Sequence, residues 1–221
     1  MFNATAMFVC TLLSVYLDDG ATEGLLFSAL ITIGIGLLLL LITRNRKREI
    51  KMRDGYLTVV MGWLSMVIFG TLPYLLTQSL VSYSDALFET MSGFTATGAT
   101  IVQDIEALPK SIILWRSLTH WLGGMGIIVL AVAILPLLGI GGVQLFSAEA
   151  TAIGGDKLHP RISYTAKRLW YIYVGFTVLE ALILAFAGMS VFDAINHSMS
   201  TMASGGFSTK NESLAYWNNS P

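Results

Sequence analysis

The sequence is poor in charged residues and holds a single cysteine. Charged residues make up 12% of its 221 residues and hydrophobic residues make up 54%, whereas soluble domains carry about 25% charged residues. So few polar side chains cannot cover a water-soluble globule of this size, and intrinsic disorder needs the opposite composition. The one thiol, Cys10, excludes an internal disulfide framework and a cysteine-rich metal site. The net charge of −1 gives a nucleic-acid partner no electrostatic support. The composition therefore indicates an integral membrane protein.

Four apolar stretches are long enough to cross a bilayer, which takes about 20 helical residues. They cover residues 24–43, 56–77, 121–140 and 169–189, and only the last contains an acid, Glu180. A shorter apolar stretch, 2–17, opens the sequence. It lacks the basic start and the small-residue cleavage site of a signal peptide, so we interpret it as a helix whose natural beginning is missing.

Basic residues are concentrated in two connections between these stretches. Ten of the 13 lysines and arginines lie in residues 44–54 and 157–168, whereas the other connections are mainly acidic. Because basic loops stay on the cytoplasmic side of a membrane, we expect these two connections to be cytoplasmic and the acidic ones to lie outside. A site for anionic lipid or for a partner at 44–53 is the less favoured interpretation.

Two further segments, 82–103 and 190–210, are too polar to span a membrane and too apolar to be free loops. Sliding one over the other by 108 positions aligns identical residues: Asp85 with Asp193, Ala86 with Ala194, Met91 with Met199, Ser92 with Ser200 and Gly98 with Gly206. Repeated units in a membrane protein suggest a site at the interface between the repeats. We therefore interpret the two segments as copies of one structural unit.

Each copy begins with helix-start residues, Ser84-Asp85 in the first and Asp193 in the second. About ten helix-compatible residues follow, which rise about 15 Å, half of the bilayer core. Each copy then continues into small residues, at 95–100 and 203–208, which bring irregular backbone to membrane depth. Carbonyl oxygens of such backbone can replace the hydration shell of an alkali cation, and the negative ends of the short helices favour a cation as well.

Tight helix packing is the alternative role for the small residues, but two copies in the same context favour a pair of pore loops. The acids that follow the first copy, Asp104 and Glu106, are then expected to raise the cation concentration at the mouth of the pore.

Several motifs in these regions are similar to one transporter family. DALFE at 85–89 leads to SGFTATGAT at 92–100, HWLGGMGIIVLAV covers 120–132, and GGFST covers 205–209. From about Asp18 to the end, the sequence resembles the membrane subunit of Trk/Ktr-type potassium uptake systems, especially the TrkH branch. The resemblance implies an all-α membrane protein in which two N-terminal helices precede four helix–pore loop–helix repeats, with about one and a half of the four present here.

The resemblance divides the chain into four parts. Residues 1–54 hold the two N-terminal helices and a basic loop, 55–140 the first repeat, 141–168 a cytoplasmic connection, and 169–221 the start of the second repeat. It also places the potassium selectivity filter on backbone carbonyls around one glycine per repeat: Ala96, Thr97 and Gly98 in the first, and Ser204, Gly205 and Gly206 in the second. A single glycine per repeat implies weaker potassium selectivity than in dedicated potassium channels.

The family also implies partners and a location. We expect potassium ions as cargo, no cofactor, a homodimer in the lipid bilayer, a cytosolic nucleotide-binding regulatory subunit, and a multi-pass position in a bacterial or archaeal inner membrane. Because only two of four pore loops are present, we interpret the chain as an N-terminal fragment of a longer transporter that does not conduct alone.

Other residues allow different interpretations. Glu180 lies within a span, where an acid is a functional candidate by default, but we favour a protonated or paired glutamate at a helix interface. His120, near Arg116, is interpreted as a packing or hydrogen-bonding residue and not as a metal ligand, because no second ligand lies at helical spacing. An intramembrane enzyme that uses Glu180 with His120 and a non-conducting scaffold are the alternative functions.

Three tryptophans near span ends are predicted to be interface anchors: Trp115, Trp121 and Trp170.

Overall fold

The computed structural model describes residues 2–44, 52–134 and 158–217, and within these ranges all regular structure is helical. In chain order the α-helices are α1 (Phe2–Leu17), α2 (Thr22–Thr43), α3 (Met52–Gly70), α4 (Leu72–Leu76), α5 (Tyr83–Phe94), α6 (Lys110–Ile134), α7 (Leu158–Phe186) and α8 (Val191–Met202). A 3-10 helix covers Ser213–Trp217. The all-α fold class predicted from the sequence is confirmed for these residues.

Three of the described segments are long and apolar enough to cross a membrane: Thr22–Thr43, Leu57–Leu76 and Lys167–Phe186. They correspond to three of the four predicted spans. The segment Leu57–Leu76 is interrupted at Thr71, between α3 and α4, and Pro73 lies in the first turn of α4. Because proline lacks an N–H and clashes with the preceding turn, Pro73 accounts for this break in the helix.

Helices α6 and α7 begin earlier than their apolar stretches. Helix α6 starts at Lys110, eleven residues before Trp121, and the Pro109 carbonyl accepts hydrogen bonds from the N–H groups of Ile112 and Ile113. Helix α7 starts at Leu158, inside the segment predicted as a connection. The predicted boundaries were too late because the first turns carry polar residues, and a search for apolar stretches detects only the part of a helix that resembles a lipid-facing span.

The two short helices, α5 and α8, each have 12 residues and begin 108 positions apart. Their N-caps are Ser82 and Ser190, so Asp85 and Asp193 lie in the first turn and not at the start as predicted. In α8 the Ser190 hydroxyl accepts a hydrogen bond from the Asp193 N–H at 3.1 Å and donates to Asp193 Oδ2 at 2.6 Å. The carboxylate close to the helix N-terminus also interacts favourably with the positive end of the helix dipole.

Helix α6 lies between the two short helices. Both α5 and α8 pack against it, α1 packs against α2 and α6, and α7 packs against α8 and α6. Trp115 of α6 is fully buried in the hydrophobic core. Its Nε1 donates to the Gly70 carbonyl at 3.2 Å, and its ring meets Phe94 edge to face with centroids 6.4 Å apart.

The predicted interface-anchor role is therefore wrong for Trp115, which faces other helices. Trp121 is half-buried and its Nε1 donates to the Thr177 hydroxyl at 3.1 Å. Trp170 is 41% exposed, as an anchor at the membrane surface requires.

Some predictions fall outside the described residues. The sequence predicts a kink at Pro136, a flexible helix exit at Gly139, Gly141 and Gly142, and a turn at Gly154-Gly155, all of which lie outside the described residues. Most of the first basic connection, at 45–51, and residues 141–157 of the predicted cytoplasmic connection lie outside them as well.

Candidate functional site

The two predicted pore loops have the same backbone conformation, 108 positions apart. We call residues 95–100 the first loop and residues 203–208 the second loop. Ala96 and Ser204 have φ values of 53° and 57°, and the glycines two positions later, Gly98 and Gly206, have φ values of 76° and 91°. Positive φ costs little for glycine but about 1–2 kcal/mol for a residue with a Cβ. A strained residue at the same position of each loop indicates that the sequence repeat is also a structural repeat.

Hydrogen bonds at the helix ends repeat in the same way. In the first copy the Ala96 N–H donates to the Gly93 carbonyl at 3.0 Å and the Thr97 N–H donates to the Ser92 carbonyl at 3.0 Å. In the second copy the corresponding bonds run from Ser204 to Thr201 at 2.8 Å and from Gly205 to Ser200 at 2.9 Å. This pattern, with a left-handed residue just past the helix, satisfies carbonyls of the last turn and turns the chain sharply away from the helix.

The two loops are in contact at Gly98 and Gly205. A Cβ added to Gly98 would overlap the carbonyl oxygen of Gly205, so only glycine fits at this position. Gly205 is itself buried, and a Cβ there would overlap the ring of His120. The other predicted filter residues are more accessible: Ala96 and Gly98 are half-buried, whereas Thr97, Ser204 and Gly206 are exposed. The structure thus places the two predicted filter segments in contact at Gly98 and Gly205, next to His120 of α6.

Two consecutive glycines of α6 receive the ends of the two short helices. A Cβ at Gly123 would overlap the carbonyl oxygen of Phe94, the last residue of α5. A Cβ at Gly124 would lie 2.9 Å from the Cα of Ala203, which directly follows α8. The absence of a side chain at Gly123 and Gly124 thus allows both short helices to approach α6 closely.

A buried ion pair lies behind the first loop. Arg116 Nε donates to Glu89 Oε1 at 2.8 Å, and the two side chains are 1% and 0% exposed. Glu89 also accepts hydrogen bonds from the Thr100 hydroxyl at 3.0 Å and from the Ile101 N–H at 3.0 Å. Removal of both charges from water is costly unless their remaining hydrogen bonds are made, and these contacts supply partners to the carboxylate.

The same arginine reaches the second loop. Its Nη1 donates to the Ser208 carbonyl at 3.5 Å, and its guanidinium carbon lies 4.2 Å from the centroid of the Phe207 ring. Its Nη2 donates to Thr100 Oγ1 at 3.1 Å. We call Arg116 and its partners Glu89, Thr100, Phe207 and Ser208 the Arg116 network. It joins both loops to one side chain of α6.

His120, one helical turn after Arg116, packs against the second loop. Its ring stacks on Phe207 with centroids 3.9 Å apart and an interplanar angle of 16°. Its Nδ1 is 3.1 Å from the Ser200 hydroxyl of α8. The packing and hydrogen-bonding role predicted for His120 is confirmed. Within the described residues, no group of three or more His, Cys, Asp and Glu side chains could hold a metal ion.

A second histidine holds the second loop from its own short helix. His197 Nδ1 lies 2.8 Å from the Asp193 carbonyl, and because a carbonyl only accepts, this nitrogen carries a proton. In the neutral ring Nε2 therefore accepts from the Ser208 hydroxyl, 2.9 Å away. Ser208 Oγ in turn accepts from the Lys210 N–H at 3.0 Å.

The segments that follow the two loops in the chain also contact each other. Lys210 Nζ lies 3.0 Å from Glu106 Oε2, Asn211 Nδ2 donates to Asp104 Oδ1 at 3.0 Å, and Asn211 Oδ1 accepts from the Ile105 N–H at 2.8 Å. The hydrogen bond from Asn211 lowers the pKa of Asp104. Lys210 offsets the charge of Glu106, so these acids attract cations less than two free carboxylates would.

Glu180 is half-buried on α7, and no hydrogen-bond or ion-pair partner for it lies within the part of the chain that the structure describes. His120 directs its ring to Ser200 and Phe207. These contacts give no support to a catalytic pair of Glu180 and His120.

Sequence reasoning did not single out Glu89, His197 or the loop-joining role of Arg116. A signal was present: Glu89 and His197 occupy equivalent positions of the two copies, and each is an ionisable residue in the middle of its short helix.

Comparison with known proteins agrees with this arrangement. The sequence model of the TrkH family, described as a cation transport protein, matches residues 25–221. The chain belongs to the TrkH family. It is 46% identical over 219 residues to the Trk system potassium uptake protein TrkH of Halomonas elongata and 45% identical to that of Escherichia coli K12. Each match covers 98% of this chain and 45% of the relative, so the chain spans just under half the length of these TrkH proteins.

The fold is also that of a solved TrkH structure. The crystal structure of the potassium transporter TrkH from Vibrio parahaemolyticus superposes with a TM-score of 0.84 at 42% sequence identity, covering 96% of this chain and 42% of that chain. Membership of this transporter family identifies the long apolar helices as membrane helices.

Proposed function

We propose that the protein takes up potassium ions through a pathway lined by backbone carbonyl oxygens of the two loops. The observation that carries this proposal is the contact of Gly98 with Gly205, where two loops of the same conformation meet at the ends of two short helices. The naming of similar TrkH proteins as potassium uptake proteins supports potassium as the ion.

The proposed ligands are the carbonyls of Ala96, Thr97, Ser204 and Gly205, next to the family glycines Gly98 and Gly206. Carbonyl oxygens suit a large monovalent cation that has lost part of its hydration shell. The carbonyl ends of α5 and α8 carry partial negative charge and add to this preference. The pathway needs no resident cofactor, because the electrochemical gradient drives the ion.

We propose further that four such loops complete the pathway and that the two loops of this chain form half of it. This agrees with a chain that spans 45% of similar TrkH proteins. The assembly that we propose is a homodimer in the inner membrane of a bacterial or archaeal cell, regulated by a cytosolic nucleotide-binding subunit. Two loops alone would leave half of the ion's ligands missing, so we expect this chain alone to be inactive.

The test is complementation of a bacterial strain that lacks its own potassium uptake systems. The protein is expressed from its complete reading frame, and growth and rubidium uptake are measured at limiting potassium. We expect the unaltered protein to restore both and Gly98→Leu to abolish both at equal membrane abundance. Gly62→Leu is the matched control, because a Cβ at Gly62 in α3 meets no atom within 4 Å.

Failure of the unaltered protein to support uptake would overturn the proposed function. Normal uptake by Gly98→Leu would show that the ion does not pass the first loop.

A further inference from the structure

Arg116 is a buried cation beside a proposed cation pathway, and a repulsive charge at such a position needs a compensating benefit. Glu89 offsets the charge at 2.8 Å. Replacement of both residues by apolar ones would achieve the same neutrality without desolvation of two ions, and such replacement is often neutral or stabilising. Neutrality alone therefore does not explain why an arginine lies here.

The geometry of the guanidinium offers an explanation. A planar fork with five donors can bind several acceptors at once in fixed directions. Here Nε binds Glu89 of α5, Nη2 binds Thr100 of the first loop and Nη1 binds the Ser208 carbonyl of the second loop, while the face of the guanidinium covers Phe207. Thr100 and Ser208 are each two positions beyond a filter glycine.

One side chain of α6 thus contacts equivalent points of both loops. The loops carry residues with positive φ just past the short helices, at Ala96 and Ser204, and such a conformation persists only when surrounding contacts fix it. Within the Arg116 network, the hydrogen bond to Thr100 stays in the first repeat, whereas the contacts with Ser208 and Phe207 cross to the second.

We infer, on the basis of the proposed function, that Arg116 is a positioning residue that sets the distance between the two loops and thereby the preference of the pathway for potassium over sodium. A wider spacing between opposed carbonyls weakens their hold on a dehydrated ion. It reduces the advantage of potassium, which gives up its hydration shell more readily than sodium.

The test compares Arg116→Lys with Ser117→Ala in the protein expressed from its complete reading frame. Lysine keeps the positive charge next to Glu89 but cannot reproduce the three-way fork. Ser117 is also buried and lies next to Arg116, but its hydroxyl donates only to Ile113 of its own helix, at 3.3 Å. Uptake is measured per amount of folded protein, with potassium and sodium each varied.

We expect Arg116→Lys to raise the KM for potassium on the order of tenfold and to lower the potassium-to-sodium ratio, since the loss of a hydrogen bond to a charged group is worth about that factor. Vmax should change much less. Ser117→Ala should match the unaltered protein in KM and ion ratio. Unchanged KM and ion ratio in Arg116→Lys would overturn the inference, because charge compensation alone would then account for the arginine.

A second variant tests the inference if Arg116→Lys does not fold. Thr100→Val removes one partner of the fork and the Thr100 hydrogen bond to Glu89, but it leaves the Arg116–Glu89 pair and the Ser208 contact in place. We therefore expect a smaller shift of KM and ion ratio in the same direction. An unchanged ratio in Thr100→Val would then overturn the inference. Absence of uptake by the unaltered protein would instead count against the proposed function itself, so the two failures are distinguishable.

Discussion

Glu89 and His197 occupy the same position in the two repeats, and each binds the hydroxyl two positions beyond the loop glycine of its own repeat. Glu89 accepts from Thr100 at 3.0 Å, and His197 Nε2 lies 2.9 Å from Ser208 Oγ. The contact between short helix and loop is therefore kept while its chemistry differs, a carboxylate in one copy and an imidazole in the other. Only the carboxylate also neutralises a buried arginine.

This difference predicts unequal effects of alanine at the two positions. Glu89→Ala leaves Arg116 buried without its counter-charge, which costs about 3–5 kcal/mol in comparable pairs. His197→Ala removes the hydrogen bonds to the Asp193 carbonyl and the Ser208 hydroxyl, which are both uncharged groups, and we expect a loss of about 1–3 kcal/mol. The measurement is the apparent melting temperature of the purified protein in detergent.

A double variant provides the control for Glu89→Ala. Glu89→Ala combined with Arg116→Met removes both charges, so we expect it to recover part of the stability lost by Glu89→Ala alone. A melting temperature below that of both single variants would contradict the assignment of this loss to an uncompensated charge.

The surroundings of the two loop glycines predict that alanine destabilises the protein unequally at the two positions. Gly98→Ala adds a Cβ that overlaps the Gly205 carbonyl and forces an L-residue to a φ of 76°. Gly206→Ala meets no atom within 4 Å and carries only the cost of its positive φ, about 1–2 kcal/mol. We therefore expect Gly98→Ala to lower the melting temperature clearly more than Gly206→Ala.

Gly62→Ala serves as the reference, because Gly62 lies inside α3 with open space around it. Replacement of glycine by alanine within a helix stabilises by about 0.5–1 kcal/mol. Equal destabilisation by Gly98→Ala and Gly206→Ala would mean that the loops are not in contact as described.

Much of the structure of the two short helices and their loops could be predicted from the sequence. Each copy of the repeat carries the same local sequence pattern, and the same pattern favours the same local structure. The offset of 108 positions that aligns Gly98 with Gly206 also aligns the helix bounds, the left-handed residues and the hydrogen bonds that end each helix. These features depend on residues a few positions apart, and turn and capping preferences act over that range.

The contacts that depend on distant parts of the chain were harder to predict. Glu89 and Arg116 are 27 positions apart, and Arg116 and Ser208 are 92 apart. No local pattern relates such positions. Trp115 was misplaced for the same reason, since a tryptophan close to a span end is typical of an interface anchor and only the packing of α5 and α3 around it buries the ring.

The contact between the segments that follow the two loops predicts that Asn211 contributes more to stability than Lys210. The Asn211 amide accepts from the Ile105 N–H, which belongs to a buried residue, and donates to Asp104. The Lys210–Glu106 pair is partly exposed, and such pairs contribute about 0–1 kcal/mol and are screened by salt. We expect Asn211→Ala to cost about 1–3 kcal/mol because it leaves an N–H without its partner.

Lys210→Ala is the matched control, and the measurement is the melting temperature at low and high salt. The effect of Lys210→Ala should be small and should shrink further at high salt, whereas that of Asn211→Ala should persist. A larger loss in Lys210→Ala than in Asn211→Ala would contradict this assignment.

Asp19 links the turn between α1 and α2 to the start of α6. Its Oδ2 accepts from the Ser111 N–H at 2.8 Å and its Oδ1 accepts from the Ser14 hydroxyl at 2.5 Å. Partial burial alone would raise the pKa of Asp19, but the hydrogen bonds from Ser14, Ser111 and Ala21 outweigh it and lower the pKa. The carboxylate thus satisfies an N–H in the first turn of α6 that has no partner within the helix, and its charge favours the positive end of the helix dipole.

The lowered pKa fixes the sign of the pH dependence. A carboxyl whose pKa is lower in the folded state stabilises that state above its unfolded pKa, and the contribution is lost as the pH falls from about 4 through the folded value. At pH 7 we expect Asp19→Ala to cost about 1 kcal/mol, as loss of a helix cap does. Asp19→Asn retains acceptor oxygen and should lose less. Melting temperatures of the three proteins between pH 3 and pH 7 test this, because the difference between Asp19→Ala and the unaltered protein should narrow towards pH 3. A difference that stays constant over this range would show that the carboxylate charge contributes nothing to the cap.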